Sequence, residues 1–198
     1  LEPIAGEDVR RRMRLAIVND DMPFLVDSIA AAIAQANLAI DRIIHPVIRV
    51  SRDATGSLEA VGGAGRPESM IYIELERADA RERRDLVATL SAVLADVRAA
   101  VSDWPALQRA IAHDEAALPP GEGAALLQWF LDGNLTLLGH QIWRRDGSAG
   151  PALGIARNEH PAPILAEASR RLAIEWCENG GEAPLLLART ASDPAPLS

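Results

Sequence analysis

The chain switches from the periodicity of a strand to that of a helix within one short run, and this switch constrains its fold most. Residues 13–18 alternate apolar side chains with polar or small ones, as a half-buried strand does. Apolar residues then recur at helical spacing from Leu25 to Leu38. The run Asn19–Ser28 joins the two patterns. The sequence therefore predicts a strand that enters a helix through a tight turn.

The connecting run has the chemistry of a helix start. Asp20 or Asp21 is expected to cap the helix through a side-chain oxygen, and Pro23 suits its first turn. Backbone N–H groups at such a start can hold a carboxylate, while the acidic side chains can meet an ammonium group. Capping without any ligand is the alternative interpretation. The candidate binding residues are Asn19, Asp20, Asp21, Phe24, Leu25 and Val26.

The next elements continue the alternation of strand and helix patterns. Pro46 cannot donate to a neighbouring strand, so its own strand is expected at a sheet edge. The long helix is expected to end at Trp104-Pro105, because the residue before proline is pushed out of helical backbone. The predicted elements are a strand at 40–52, a glycine-rich connection at 53–67, a strand at 70–76, a helix at 79–104 and a shorter helix at 106–117.

The order β-α-β-β-α predicts an α+β fold, a ferredoxin-like two-layer domain with both helices on one face of the sheet. The run Leu118-Pro119-Pro120-Gly121 predicts a boundary, so we expect one domain at 12–117 and another at 121–198. The first core is expected to join Leu25, Ile29, Leu90 and Val97 to Ile17, Ile48 and Ile73. The second domain is expected to contain a helix at 122–132, a strand at 135–145, a short strand at 153–155 and a helix at 163–177.

Composition restricts the chemistry of the chain. All 20 basic residues are arginine, which excludes reactions that need a lysine nucleophile or Schiff base. The net charge of −8 argues against binding to nucleic acid, and no apolar stretch is long enough for a membrane helix. The single Cys177 suits a reducing cytoplasm. Four histidines in separate elements predict no metal site, and we assign no catalytic residue.

Several runs together carry a family resemblance. They are Asn19–Ser28, Ile44–Val47, Glu68-Ser69, Leu94–Trp104 and Leu135–Gly139. Over most of residues 13–157 the chain resembles the N-terminal region of the large bacterial NAD-specific glutamate dehydrogenases. The resemblance implies an ACT-like domain followed by the start of a PAS-like α/β domain. It also implies that the dehydrogenase chemistry and its NAD lie elsewhere in the parent enzyme, with no cofactor in this segment.

ACT domains bind amino acids at a D-x-x-P-G-x-L-type turn after their first strand. By resemblance, Asp20, Pro23 and Leu25 fit that turn, and Phe24 stands where the usual glycine would be. A side chain at that position obstructs a ligand's approach to the backbone. The alternative use of an ACT unit is a contact between subunits.

The first hypothesis is a non-catalytic regulatory or assembly region of a large NAD-dependent glutamate dehydrogenase. Its expected partners are the rest of the parent enzyme, further copies of the chain and a small amino-acid effector, but neither nucleic acid nor a membrane. The second is a free-standing amino-acid-binding ACT sensor. Against it, the chain lacks an initiator methionine and stops in loop-like sequence, as a segment of a larger protein would. The third is a small enzyme that uses Asp20 and Asp21, although adjacent residues on a turn rarely converge on one substrate atom.

Overall fold

The first half of the chain forms a five-stranded antiparallel sheet and two helices in this computed structural model, which describes residues 12–144, 146–159 and 167–181. The chain divides into two compact units between Val97 and Arg98. The elements of this half are β1 (Met13–Asp20), α1 (Leu25–Gln35), β2 (Ile40–Ile44), β3 (Val47–Arg52), β4 (Leu58–Val61), β5 (Arg66–Leu75) and α2 (Ala80–Ala117), the last of which continues past the division.

Strand β5 lies at the centre of the sheet. Along one side it pairs with all of β1, from Met13 opposite Leu75 to Asp20 opposite Glu68. Along its other side it pairs first with β2 and then with β3, and β4 pairs with β3. The strands of the β-α-β-β-α unit therefore have the ferredoxin-like order, with the third predicted strand between the first and the second. The predicted α+β, ferredoxin-like fold is confirmed.

Burial alternates along β5 and separates the two faces of the sheet. Ile71, Ile73 and Leu75 are fully buried, whereas the residues between them are only half-buried. The buried residues share their face with the apolar stripes of both helices. Met70, Tyr72 and Glu74, on the opposite face, stay partly exposed. The helix residues buried in this core are Leu25, Ile29, Ala32, Ile33, Leu86, Leu90 and Val97.

The single strand predicted at 40–52 is wrong in one respect, because Pro46 divides it into β2 and β3. The Pro46 carbonyl still accepts a hydrogen bond from the Met70 N–H, at 3.0 Å, so the break stays attached to β5. The predicted contact of Ile48 with the helices is also wrong. Ile48 pairs with Glu68, five residues before Ile73, and therefore lies on the opposite face. The glycine-rich connection contains the additional strand β4.

The predicted helix end at Trp104-Pro105 is wrong, because α2 continues through Pro105 to Ala117. Proline removes one hydrogen bond within a helix and crowds the preceding turn, which costs about 3 kcal/mol. Packing beyond the proline offsets this cost. Leu107 and Ile111 are buried against Leu127 and Leu137, with Trp104 and four other apolar side chains around them.

The second unit is built around that small core. A π-helical turn follows the helix Glu122–Trp129 and contains Gly133 in the left-handed region, at φ 86°. The predicted helix and strands of this half appear with shifted bounds, and the predicted helix start at 163 lies outside the described residues. The elements are α3 (Glu122–Trp129), the turn Phe130–Asn134, β6 (Gly139–Trp143), β7 (Ala149–Gly154), a 3-10 turn (Ile155–Arg157) and α4 (Glu167–Glu178), and β6 pairs with β7.

The exchange Pro105→Ala tests how α2 tolerates its proline. Because Pro105 is exposed, little packing is lost, and alanine restores a donor for the Val101 carbonyl. We expect the free energy of unfolding to rise by about 1–3 kcal/mol. The matched change Pro119→Ala, in the loop after the helix, should lower it by less than about 1 kcal/mol. Denaturant titration measures both, and a clear loss of stability in Pro105→Ala would contradict this interpretation.

Candidate functional site

The turn between β1 and α1 is closed by Phe24 rather than by an aspartate. Phe24 precedes the helix with φ 69°, in the left-handed region, and no side chain caps the helix start. The predicted capping by Asp20 or Asp21 is therefore wrong. A non-glycine residue rarely adopts this conformation, which glycine adopts without strain. Phe24 thus keeps the backbone of a glycine-type turn, and its side chain is 48% exposed.

Asp21 contacts the sheet instead of the helix. Its Oδ1 accepts a hydrogen bond from Ser69 Oγ at 2.7 Å, and its N–H donates to the Pro67 carbonyl at 3.2 Å. The Ser69 side chain is completely buried and lies 2.9 Å from His45 Nε2. Because the only hydroxyl hydrogen goes to Asp21, His45 is the donor in that contact. This order leaves His45 unable to take a proton from Ser69, so the cluster is not a nucleophilic triad.

Glu68, the neighbour of Ser69, is the second buried polar residue of the site. Glu68 is only 2% exposed, and Arg52 donates to both of its carboxylate oxygens at 2.7 Å. Arg66 adds a contact at 3.2 Å and approaches Asp20 at 3.5 Å. The hydrogen bonds from Arg52 lower the pKa of Glu68 below its ordinary value. The negative charges of two carboxylates are therefore balanced by the positive charges of two guanidinium groups at this end of the sheet.

The two clusters meet because of strand register. Glu68 and Ser69 of β5 lie directly opposite Asp20 and Asn19 of β1, at the point where β1 enters the turn. This register brings three of the six predicted binding residues, Asn19, Asp20 and Asp21, next to the buried Glu68 and Ser69. Phe24 is exposed and Val26 half-buried, whereas the Leu25 side chain belongs to the core.

Sequence reasoning missed the partners of the turn as site residues. They are His45, Arg52, Arg66, Glu68 and Ser69. Only the polar pair Glu68-Ser69, at the start of an otherwise apolar strand pattern, could have signalled them.

An open depression of about 490 Å³ lies beside the carboxylate–guanidinium cluster, lined in part by Arg52, Asp53 and Arg66. The charged groups along it are already engaged. Both arginines contact Glu68, and Asp53 Oδ1 accepts hydrogen bonds from Thr55 and Ser57. Those hydrogen bonds lower the pKa of Asp53. The depression therefore offers little unused charge to a ligand.

Polar contacts of the second unit attach its hairpin to α2. His140 Nε2 lies 2.7 Å from Asp114 Oδ2, and the Gly154 N–H donates to Asp103 Oδ2 at 2.8 Å. Arg157 Nε reaches the same Asp103 oxygen at 3.3 Å. Within the described ranges, no three potential metal ligands come together, and no helix is long and apolar enough to cross a membrane.

Comparison with known proteins finds a similarity in the first part of the chain. Residues 7–90 match the family model described as glutamate dehydrogenase, ACT1 domain. This segment is similar to the ACT1 domain of glutamate dehydrogenases. The strand–turn–helix site described above lies inside the matched range, as do Glu68 and Ser69.

Two relatives extend the similarity beyond the ACT1 domain. An NAD-specific glutamate dehydrogenase of Halomonas elongata is 30% identical over 174 residues, which cover 74% of this chain and 11% of that protein. An enzyme of the same name from Pseudomonas aeruginosa is 29% identical over 142 residues, covering 63% of this chain and 9% of that protein. The chain thus spans a small part of each relative. These similarities fit a non-catalytic N-terminal region of such an enzyme.

The buried carboxylate of Glu68 predicts a specific pH dependence of stability. Its pKa in the folded protein is below the ordinary 4.5, so its contribution is present above about pH 4.5 and is lost as the pH falls through the folded value. Wild type should therefore be more stable than Glu68→Gln at neutral pH, and the difference should shrink in acid. Thermal denaturation across pH measures this.

The exposed Glu59 of β4 supplies the control for that experiment, because the change Glu59→Gln should leave stability nearly unchanged at every pH. A stability difference for Glu68→Gln that stays constant down to pH values of about 3 would contradict the assigned role of Glu68.

Proposed function

We propose that this chain is a regulatory or assembly region of a larger NAD-dependent glutamate dehydrogenase and performs no chemistry itself. The match of residues 7–90 to the ACT1 domain carries the proposal. The relatives that share the region are named NAD-specific glutamate dehydrogenases and extend far beyond it. In the proposed parent, NAD-dependent oxidation of glutamate to 2-oxoglutarate and ammonia takes place in another part of the polypeptide.

The amino-acid composition supports a non-catalytic role independently. Oxidation of glutamate needs cationic groups to hold two carboxylates and to stabilise charge as ammonia is released. By resemblance, glutamate dehydrogenases use lysines for this, whereas all 20 basic residues here are arginine. The two arginines nearest the turn are already engaged with Glu68.

The isolated chain should neither oxidise glutamate nor bind NAD. Absorbance of NADH measures the first, and calorimetric titration with NAD measures the second. The positive control is the full-length parent enzyme under the same conditions. Saturable NAD binding to the isolated chain at about micromolar affinity would contradict the proposal.

A small amino-acid effector is the second part of the proposed function, with Asn19, Asp20, Asp21, Phe24, Leu25 and Val26 as its site. The left-handed backbone at Phe24 supports it, because this is the conformation a glycine-type ACT turn requires. The effector's carboxylate would lie on N–H groups at the start of α1 and its ammonium group near Asp20 or Asp21. The side chain of Phe24 would restrict entry.

Calorimetric titration with amino acids tests the effector site. Asp21→Ala should weaken binding at least about tenfold, because it removes a charge-assisted contact. Phe24→Gly should strengthen binding by opening the turn, and should be at least as stable as Phe24→Ala because glycine relieves the left-handed strain. Asp27→Ala removes an exposed acid from the same helix turn and serves as the control. Equal weakening by Asp27→Ala, or no binding to any variant, would exclude the site.

The remaining proposals concern organisation. We place an ACT-like domain at 12–117 and the start of a PAS-like α/β domain at 121–198, joined to the rest of the parent enzyme in a cytoplasmic homo-oligomer. The edge near Pro46 or the outer face of α2 is proposed to contribute to assembly. The alternative is a free-standing amino-acid sensor. Sequencing the full reading frame around this segment decides between this sensor and a region of a larger dehydrogenase.

A further inference from the structure

A chain of three polar side chains crosses the sheet beside the β1–α1 turn. Ser69 of β5 stands in the middle, with Asp21 on the side of β1 and His45 on the side of β2 and β3. Ser69 is completely buried, whereas Asp21 and His45 are exposed. We name these three residues the polar bridge. A buried hydroxyl group thus joins two exposed side chains that belong to two different connections of the fold.

Strand register places the polar bridge on one face of the sheet. The pairings on both sides of the break between β2 and β3 put His45 opposite Ile71. Asp21 follows the end of β1 and lies opposite Pro67, to whose carbonyl its N–H donates. Pro67, Ser69 and Ile71 are two residues apart along β5 and therefore share a face. Each end of the bridge is a diagonal neighbour of Ser69, within reach of its hydroxyl group.

The hydroxyl group of Ser69 has one hydrogen and two neighbours that can accept it. An ionised carboxylate only accepts, so the hydrogen goes to Asp21 Oδ1 at 2.7 Å. His45 Nε2, 2.9 Å from the hydroxyl oxygen, is then the donor, which makes the neutral ring the Nε2–H tautomer. The hydroxyl group has a second orientation. In it the hydrogen points to His45 Nε2, and the ring is the Nδ1–H tautomer.

We propose that the Ser69 hydroxyl group is a two-state switch that couples the β1–α1 turn to the break at Pro46. While Asp21 accepts its hydrogen, His45 keeps a proton on Nε2. When a cation engages Asp21 Oδ1, the hydroxyl group turns to His45. The ring then gives its Nε2 proton to water and takes a proton from water at Nδ1, so its charge is unchanged. The exposed ring now offers a donor at Nδ1, where it offered an acceptor before.

Burial of Ser69 makes the coupling effective. A shielded hydroxyl group that loses one partner is costly to leave unpaired, so the loss is transmitted to the other partner. Coupling between two sites requires an element with two discrete arrangements, and the two hydroxyl orientations supply it. The inference goes beyond the proposed function, because it joins the proposed effector turn to the edge proposed for assembly. Its test needs no effector.

Long-range ¹⁵N–¹H NMR spectra of the 198-residue chain test the switch, since they distinguish the two neutral histidine tautomers. At about pH 8.5, where imidazole side chains are ordinarily neutral, His45 of the wild type should be the Nε2–H tautomer. Asp21→Ala should raise the Nδ1–H fraction at least about threefold, because it frees the Ser69 hydrogen. Asp27→Ala, which removes an exposed acid from the first turn of α1, is the matched control and should leave the tautomers unchanged.

Two further variants complete the experiment. His45→Gln assigns the His45 signals, because it removes one of four sets of histidine ring signals. In a Ser69→Ala background, Asp21→Ala should leave the His45 tautomers unchanged, because the connecting hydroxyl group is gone. Heat-denaturation midpoints confirm that each variant is folded. If Ser69→Ala does not fold, the comparison of Asp21→Ala with Asp27→Ala decides by itself.

Three outcomes would overturn the proposal. They are a wild-type His45 that is mainly the Nδ1–H tautomer, an Asp21→Ala spectrum that matches the wild type, and a tautomer change that is the same with and without Ser69. Because the spectra are recorded on the chain without an effector, their outcome is independent of effector binding, which the calorimetric titration tests. The non-catalytic role is tested separately by the glutamate and NAD measurements.

Discussion

The register of β5 against β1 is the constraint on which the rest of the first unit depends. The pairing runs without a shift from Met13 opposite Leu75 to Asp20 opposite Glu68. A slip by one residue would turn Ile71 and Ile73 from the core to the opposite face of the sheet. It would also move Glu68 and Ser69 away from the end of β1. Core and candidate site are therefore fixed by the same backbone hydrogen bonds.

The site combines local strain with buried polar partners. Phe24 holds a backbone conformation that disfavours a bulky side chain, and such a residue persists only where its surroundings fix it. Two interactions fix the chain before it: Asp21 accepts from the buried Ser69, and Arg66 joins Asp20 to Glu68. Removing one partner would leave another buried polar group uncompensated, which is costly. The turn is thus held on both sides, by the core residue Leu25 and by the polar partners of Asp20 and Asp21.

Periodicity in the sequence predicted the order of the main elements, because β1, α1 and β5 have strong patterns with one buried face. It failed where tertiary packing overrides a local signal. Pro105 considered alone predicts a helix end, but the burial of Leu107 and Ile111 keeps α2 continuous. The site was only half predictable. Asp20 and Asp21 are visible as polar turn residues, whereas their partners on β3 and β5 come from strand register, which one sequence does not determine.

Hydrogen–deuterium exchange of the isolated chain tests the organising role of β5 most directly. The N–H groups of residues 70–75 should exchange only through global unfolding, because strands lie on both sides of this segment. The N–H groups of β4, a short strand whose side chains are all exposed, should exchange much faster through local opening. Exchange at residues 70–75 as fast as in β4 would contradict the central position of β5, and with it the account of how the turn is held.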